Sequence, residues 1–592
     1  MFKKMIFALI TAAALGFVLT ACGGDSAPPA ADTAAQDAAP GAQADGGGTA
    51  VDSVLDTDRE FVTFRWYFNY DWFTPQPWGE DLTSAYWGEM FQIHANTEAP
   101  DAIPMEAMNL MIIADDLPDV IWMERDSHNV EMTRLGLFYS IPELVEMVNN
   151  NWYHENVPAA TQNFYMVDGV NHVIPNWVRQ GVVGELGQAT GGNYAWMITT
   201  NVYEAVGSPP IVTFEDLYSY AVAVRDAELN TSAGASVIPV LFNGGPNQGQ
   251  GFVNAIYRSF GGNTTGWADW YGIKPDGENF GSRWDNWVWR EAVLEANRWY
   301  REGLFPPTNL TNSNDQFLEN FSGGRGGLIM HDHSGDNGDG FRRILRQNDP
   351  GNSIELLYNT IDGMHFAFPP ARGLPHDAIH SDTHGTLGWN GSFITRHAEH
   401  PGRIFELLTW MLTPLGSVEM MFGPQGELWD ELTPEGFPIL HTFPEALTPE
   451  DHERIGIWRW GNHGHSNHVD NAKFAANQMM PEEYRNWVDL MQETILTPRN
   501  RLSDEFAVIG LTIDSTEPLG IQRQMIHDFF EEMLPQIILA ESEAEAARMF
   551  DDVLAFALAN GLQEIEARYH ERWVYNKEQQ GGGIFGPARL QR

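Results

Sequence analysis

A single cysteine, Cys22, in 592 residues means that no intramolecular disulfide can staple this chain, so its fold must be held by buried apolar surface. The composition can supply that surface. Hydrophobic residues make up 43 %, and 21 Trp, 17 Tyr and 33 Phe give enough bulk for a sizeable core divided over two or more lobes. The formal charge is −46, a field that repels nucleic acid and anionic lipid headgroups and excludes both as partners.

The cysteine also carries an address. It closes Leu19-Thr20-Ala21-Cys22 after an apolar run, Met5 to Ala21, that follows Lys3 and Lys4. The run is short for a membrane span, and its charged start and small residues before the cleavage point fit an export signal. The segment resembles a bacterial lipoprotein signal, residues 1–22, with a lipobox. On this reading the chain is exported, cut before Cys22 and acylated on that sulfur, so it is membrane-anchored on the extracellular face. Loss of Lys3 and Lys4 takes the charge from −46 to −48. No group near Cys22 would lower a thiol pKa, since Asp25 has the wrong sign. Residues 23–57 read as a flexible tether, because 23–50 contain no aromatic and almost no large apolar residue.

Folded sequence is expected from about Asp58. Phe61 to Phe68 reads as a buried strand, Pro104 to Ala114 as a helix, and Val120-Ile121-Trp122 as a short buried strand. Thr213 with Asp216 three residues on predicts a capped helix, and a second is expected from about Asp285 to Glu302 with Gly303 as its stop. Helix and strand signals alternate to about residue 420, the pattern of an α/β protein. Residues 430–475 read as long loops, Glu482–Glu493 and Glu541–Trp573 as helical, and the end from Lys577 as a frayed tail.

Several stretches, weak singly, occur in one family's order: the lipobox, Leu110 to Ile121, Val167-Asp168-Gly169 to Pro175, Thr213 to Leu217, Trp299 to Leu304, Ser322 to Met330, Gly391 to Trp410, Phe422 to Trp429, and the helical run ending at Tyr569 and Trp573. Together they resemble the extracellular solute-binding proteins of ATP-driven importers, in the carbohydrate-binding group (family 1) that includes LipO-like lipoproteins. The chain departs from that pattern at Thr199-Thr200-Asn201 and at Gly324-Arg325, which bears on ligand identity.

The resemblance implies an α/β, two-lobed periplasmic-binding-protein (Venus flytrap, type II) fold with helical C-terminal additions, acting as a monomer that hands its ligand to an ABC permease. The implied division is 58–175 and 368–430 for lobe 1, 176–367 for lobe 2, a loop-rich and helical region shared between lobes over 431–576, and a tail over 577–592. Chain crossings fall near Pro175 and near Phe368 to Gly373. No cofactor beyond lipid at Cys22 is implied.

A sugar offers apolar C–H faces to aromatic rings and a rim of hydroxyls to polar side chains. Placed where strands end, Trp72, Trp78, Trp122, Trp177 and Trp389 are the stacking candidates, and Asn69, Asp71, Glu124, Asp332 and Asn390 the polar ones. Each could equally be core or ordinary surface. Two other classes stay open. His463, His465 and His468 with Asp470, or His331-Asp332-His333, could collect a metal, although their spacing fits no closed zinc pattern. A peptide could replace the sugar in the same receptor. A glycoside hydrolase would need two carboxylates about 5 to 9.5 Å apart, which 80 acidic residues cannot single out. The chain has no G-x-S-x-G, H-E-x-x-H or phosphate-loop motif, so the reading is a binding protein and not an enzyme.

Overall fold

The computed structural model describes residues 59–580 except 71–72, 101–102, 125–126, 177, 179–193, 245–248, 263–269, 333–341, 343, 357–358, 362–363, 367, 375–382, 385–387, 389, 461–467, 482–483, 487–500, 503–512 and 514–516. The signal with Cys22, the tether, the end of the tail and nearly all of Glu482–Glu493 therefore lie outside the described residues.

Two mixed sheets organise the rest. In the first the order is Ile93–Glu98, Val62–Phe68, Val120–Glu124, Asn390–Ile394, Ile174–Pro175. The first three strands are parallel, because the helices Leu82–Phe91 and Pro104–Ala114 carry the chain back between them, and the last two pairings are antiparallel. Val62–Phe68 alternates at its start, with Thr63 exposed and Arg65 half-buried, and is fully buried from Trp66 to Phe68. In the second sheet the order is Ile354–Leu356, Tyr194–Thr199, Gly326–Asp332, Ile238–Phe242. There Ile238–Phe242 runs parallel to Gly326–Asp332, while Tyr194–Thr199 is antiparallel to both of its neighbours.

Local signals account for many element ends. The helix Pro104–Ala114 opens on a proline at its first position, where the missing N–H costs nothing. Thr213 and Asp216 form the reciprocal capping box expected of them, and the helix Phe214–Asp226 follows. Helix Trp287–Arg301 starts on Asn286, whose side chain accepts from the Val288 N–H, and Gly303 beyond it takes φ +72°.

The C-terminal half differs from expectation in two places. Residues 430–475 are not all loop: a hairpin pairs Trp429–Leu432 with Pro438–Leu440, and helices Pro449–Ile455 and His468–Met479 follow. They are ordered because Leu428, Trp429, Ile455, Ile457, Ala472 and Ala476 share one buried cluster with Val418 and Phe422. The last helix, Leu562–Gln580, runs past Lys577, where a tail was expected to begin.

Helices Pro518–Ile538 and Glu543–Ala559 pack with it against the second sheet's core, where Trp284 stacks on Phe530 at 4.8 Å and on Phe550 at 4.9 Å. Buried Asn297 fastens them further. Its Nδ2 donates to the Ile538 and Ala540 carbonyls at 3.1 and 2.8 Å, satisfying groups that a helix end otherwise leaves open. Among the described residues no helix is long and apolar enough to cross a membrane.

Candidate ligand-binding site

In open sheets of this kind the carboxyl ends of parallel strands, with the loops that follow them, leave backbone and side-chain polar groups free for a ligand. At that edge of the first sheet the chain places Asn69 just after Phe68, Glu124 at the end of its strand, and Asn390 directly opposite Glu124 in register. The Asn69 N–H donates to the Trp122 carbonyl at 2.9 Å, which joins the two strand ends. Asn176, one residue past Pro175, completes the group. Its N–H donates to the Asn390 carbonyl at 3.2 Å and its Oδ1 accepts from the Asn390 N–H at 3.1 Å. This approach depends on Gly388, since a Cβ there would sit inside the Asn176 carbonyl and carboxamide oxygens.

The side chains at this edge are incompletely used. Asn390 is 0 % exposed, yet neither its Oδ1 nor its Nδ2 has a hydrogen-bond partner. The Asn176 Nδ2 is buried without a partner, and so is the Asn69 Oδ1. Buried carboxamides are normally satisfied, and each open group costs about 1–3 kcal/mol. On the neighbouring strands Trp122 packs against Phe68, Tyr70 and Phe73 at ring separations of 5.8, 4.3 and 5.5 Å.

The second sheet presents a matching edge. Asp332 ends its strand opposite Tyr194, and Asn243 follows Phe242. Asn312 holds that loop: its Oδ1 accepts from the Gly244 N–H at 2.9 Å and its Nδ2 donates to the Phe242 carbonyl at 3.2 Å. Asn243 donates to the Asn314 Oδ1 at 3.1 Å and keeps its own Oδ1 buried and unpartnered. The two strand-to-strand crossings between the sheets join these two edges. The chain leaves the first sheet at Pro175 and enters the second at Tyr194; it leaves the second at Leu356 and returns at Asn390.

Thus Asn69, Trp122, Glu124 and Asn390 come together, and Asp332 takes the corresponding place on the other sheet. Asp71, Trp72, Trp177 and Trp389 lie outside the described residues. Two stacking candidates need correction in role. Trp78 is 4 % exposed and packs between Trp66 and Trp460, at 6.2 and 4.9 Å, so it is core. Trp122 is fully buried among Phe68, Tyr70 and Phe73. Asn176, Asn243 and Tyr70 escaped sequence reasoning; the one available signal was an asparagine directly after the crossing proline.

Of the histidine sets, His333, His463 and His465 lie outside the described residues, and His331 is placed only as strand backbone beside Asp332. His468 opens a helix, and burial lowers its pKa below the ordinary histidine value. Asp470 is buried and ion-paired with Lys473 at 3.3 Å. Among the described residues no three His, Cys, Asp or Glu side chains are grouped to hold a metal.

No protein-family model matches the sequence, and no curated relative does. Solved structures do match. The substrate-binding protein FusA of S. pneumoniae in complex with kestose superposes with TM-score 0.64 at 15 % identity, over 88 % of this chain and 99 % of its own. The alginate-binding protein AlgQ2 gives 0.58 at 15 %, over 88 % and 99 %. An HMO-binding, ABC-transporter-associated solute-binding protein of Bifidobacterium longum infantis gives 0.57 at 14 %, over 87 % and 99 %.

The fold is that of the two-lobed solute-binding proteins. Each of these neighbours is named as a binding protein.

Proposed function

We propose that this chain captures a carbohydrate between the two sheet edges and delivers it to the membrane subunits of an ATP-driven importer. The observation that carries the reading is Asn390, a fully buried carboxamide with both polar atoms open at the carboxyl end of a sheet. A hydroxyl-rich ligand supplies the missing donors and acceptors, and the sugar complex among the structural neighbours supports that choice. Hinge closure over the ligand would bring Asn243 and Asp332 to its other side. The chemistry needed is binding alone: micromolar affinity takes about −8 kcal/mol, within reach of a few hydrogen bonds and ring contacts after association costs.

Calorimetry and thermal-shift titration of the full chain against a broad glycan panel tests this. At least one oligosaccharide is expected to bind at micromolar concentration without being turned over. No shift with any glycan, alongside hydrolysis of one, would move the protein to the glycoside hydrolases.

The same reading makes the chain a lipoprotein of the LipO-like kind, anchored through Cys22 on the outer face of the membrane and acting as a monomer. The tether, roughly 30 Å in mean reach, lets the receptor sample ligand and still meet its permease. Two acyl chains on one sulfur would suffice for stable attachment. In cell fractionation, Cys22→Ser is expected to move the protein from membranes to the soluble fraction; retention in membranes would refute the anchor.

A further inference from the structure

Asparagine is the commonest polar residue at the two edges. Asn69, Asn176 and Asn390 stand on the first sheet, and Asn243, Asn312 and Asn314 on or beside the end of the second. Four polar atoms among them, the Asn69 Oδ1, the Asn176 Nδ2 and both of Asn390, are buried without partners on the first edge, and the Asn243 Oδ1 is in the same state on the second. Two acids stand beside them: Glu124, exposed at the rim opposite Asn390, and Asp332, which ends its strand on the second sheet. None of these residues is basic.

A carboxamide offers two donors and an acceptor oxygen and carries no charge. It therefore matches a sugar hydroxyl, which both donates and accepts, and can be buried with it without a counter-ion. A uronate carboxylate or a sulfate on the same floor could accept from the Asn176 and Asn390 carboxamide nitrogens, but it would also face the Asn69 and Asn390 oxygens and a glutamate rim with no cation among them, and a buried anion without a cation is strongly disfavoured. Anion-reading sites use arginine forks or lysine in that position.

We infer that the part of the ligand held by this floor is uncharged: the protein takes a neutral oligosaccharide, read through its hydroxyls by asparagine side chains, and discriminates against uronate chains. This inference rests on the carbohydrate reading above. It separates the chain from a neighbour named for alginate, although the two share a fold.

The test is a competition between neutral gluco-, manno-, xylo-, galacto- and fructo-oligosaccharides and alginate- and galacturonate-derived oligomers of equal length, titrated into the full chain by calorimetry. The −46 charge would by itself repel acidic sugars. Titrations are therefore run at about 0.5 M salt, where screening falls to roughly 4 Å, and with and without added calcium. The best neutral oligomer is expected to bind at least about tenfold more tightly than the best uronate, a gap of about 1.4 kcal/mol, under all of these conditions. A uronate oligomer that binds as well as or better than every neutral one, with or without calcium, overturns the inference and leaves the carbohydrate reading standing. Failure of both classes to bind overturns the carbohydrate reading, and the inference with it.

Discussion

Asn390→Leu is expected to raise the melting temperature and to weaken ligand binding about 30- to 100-fold in the same protein. Leucine has nearly the branching of asparagine, so it can occupy the same strand position while the residue's backbone N–H and carbonyl keep their bonds to the Asn176 Oδ1 and N–H. In the free protein the carboxamide is fully buried with both polar atoms open, and removing an unsatisfied buried group relieves about 1–3 kcal/mol. In the bound protein those atoms would each carry a hydrogen bond of about 1–1.5 kcal/mol, and their joint loss gives the stated drop in affinity. The two readouts move in opposite directions only if the residue is kept for a ligand. A structural asparagine would lose stability on the same change and leave affinity nearly untouched. Differential scanning calorimetry of the free variant, with titration of the best glycan from the panel, separates the two cases.

What could be read in the sequence was whatever is decided within a few residues. The capping box of Thr213 and Asp216, the proline opening helix Pro104–Ala114 and the glycine ending helix Trp287–Arg301 are local, and the structure has all three. Asn390 and Glu124 were both plausible as residues at strand ends, but their direct opposition depends on an antiparallel pairing between distant segments. No periodicity contains that. Tryptophan was the least informative signal. A ring beside a strand end serves the core as readily as the cleft, and Trp78 went to the core because Trp66 and Trp460 close around it. Residues 430–475 read as loop since glycine, proline and histidine dominate there. A handful of apolar residues at scattered spacing was enough to bury a hairpin and two helices against Val418 and Phe422.

The second large effect concerns pH and lies away from the sheet edges. Glu419, on helix Pro414–Phe422, is 3 % exposed, and burial pushes its carboxyl up to about 7. The indole N–H groups of Trp87 and Trp410 both donate to its Oε2, at 2.8 and 2.9 Å, and favour the charged form, but they do not offset the lost hydration. A carboxyl whose folded pKa is raised binds its proton more tightly in the folded chain. Its stabilising contribution is complete below about pH 4.5, declines as pH rises toward 7, and is gone by about pH 8, in total about 3 kcal/mol. His527 acts in the opposite sense. Burial holds it down to about 3, so its contribution is present above about pH 6.5 and falls away in acid. General repulsion in a chain of charge −46 also weakens the fold as pH rises. The wild-type curve alone therefore mixes these terms with those of other shifted groups such as His468 and Glu295. Glu419→Gln isolates one, since glutamine keeps an acceptor for the indoles and cannot ionise, while His527 and the overall field are nearly unchanged. The variant is expected to match the wild type near pH 5 and to exceed it by about 2–3 kcal/mol at pH 8.5, in chemical denaturation run across that range. A difference between the two proteins that stays constant with pH would mean that Glu419 is already ionised in the folded state, held so by Trp87 and Trp410.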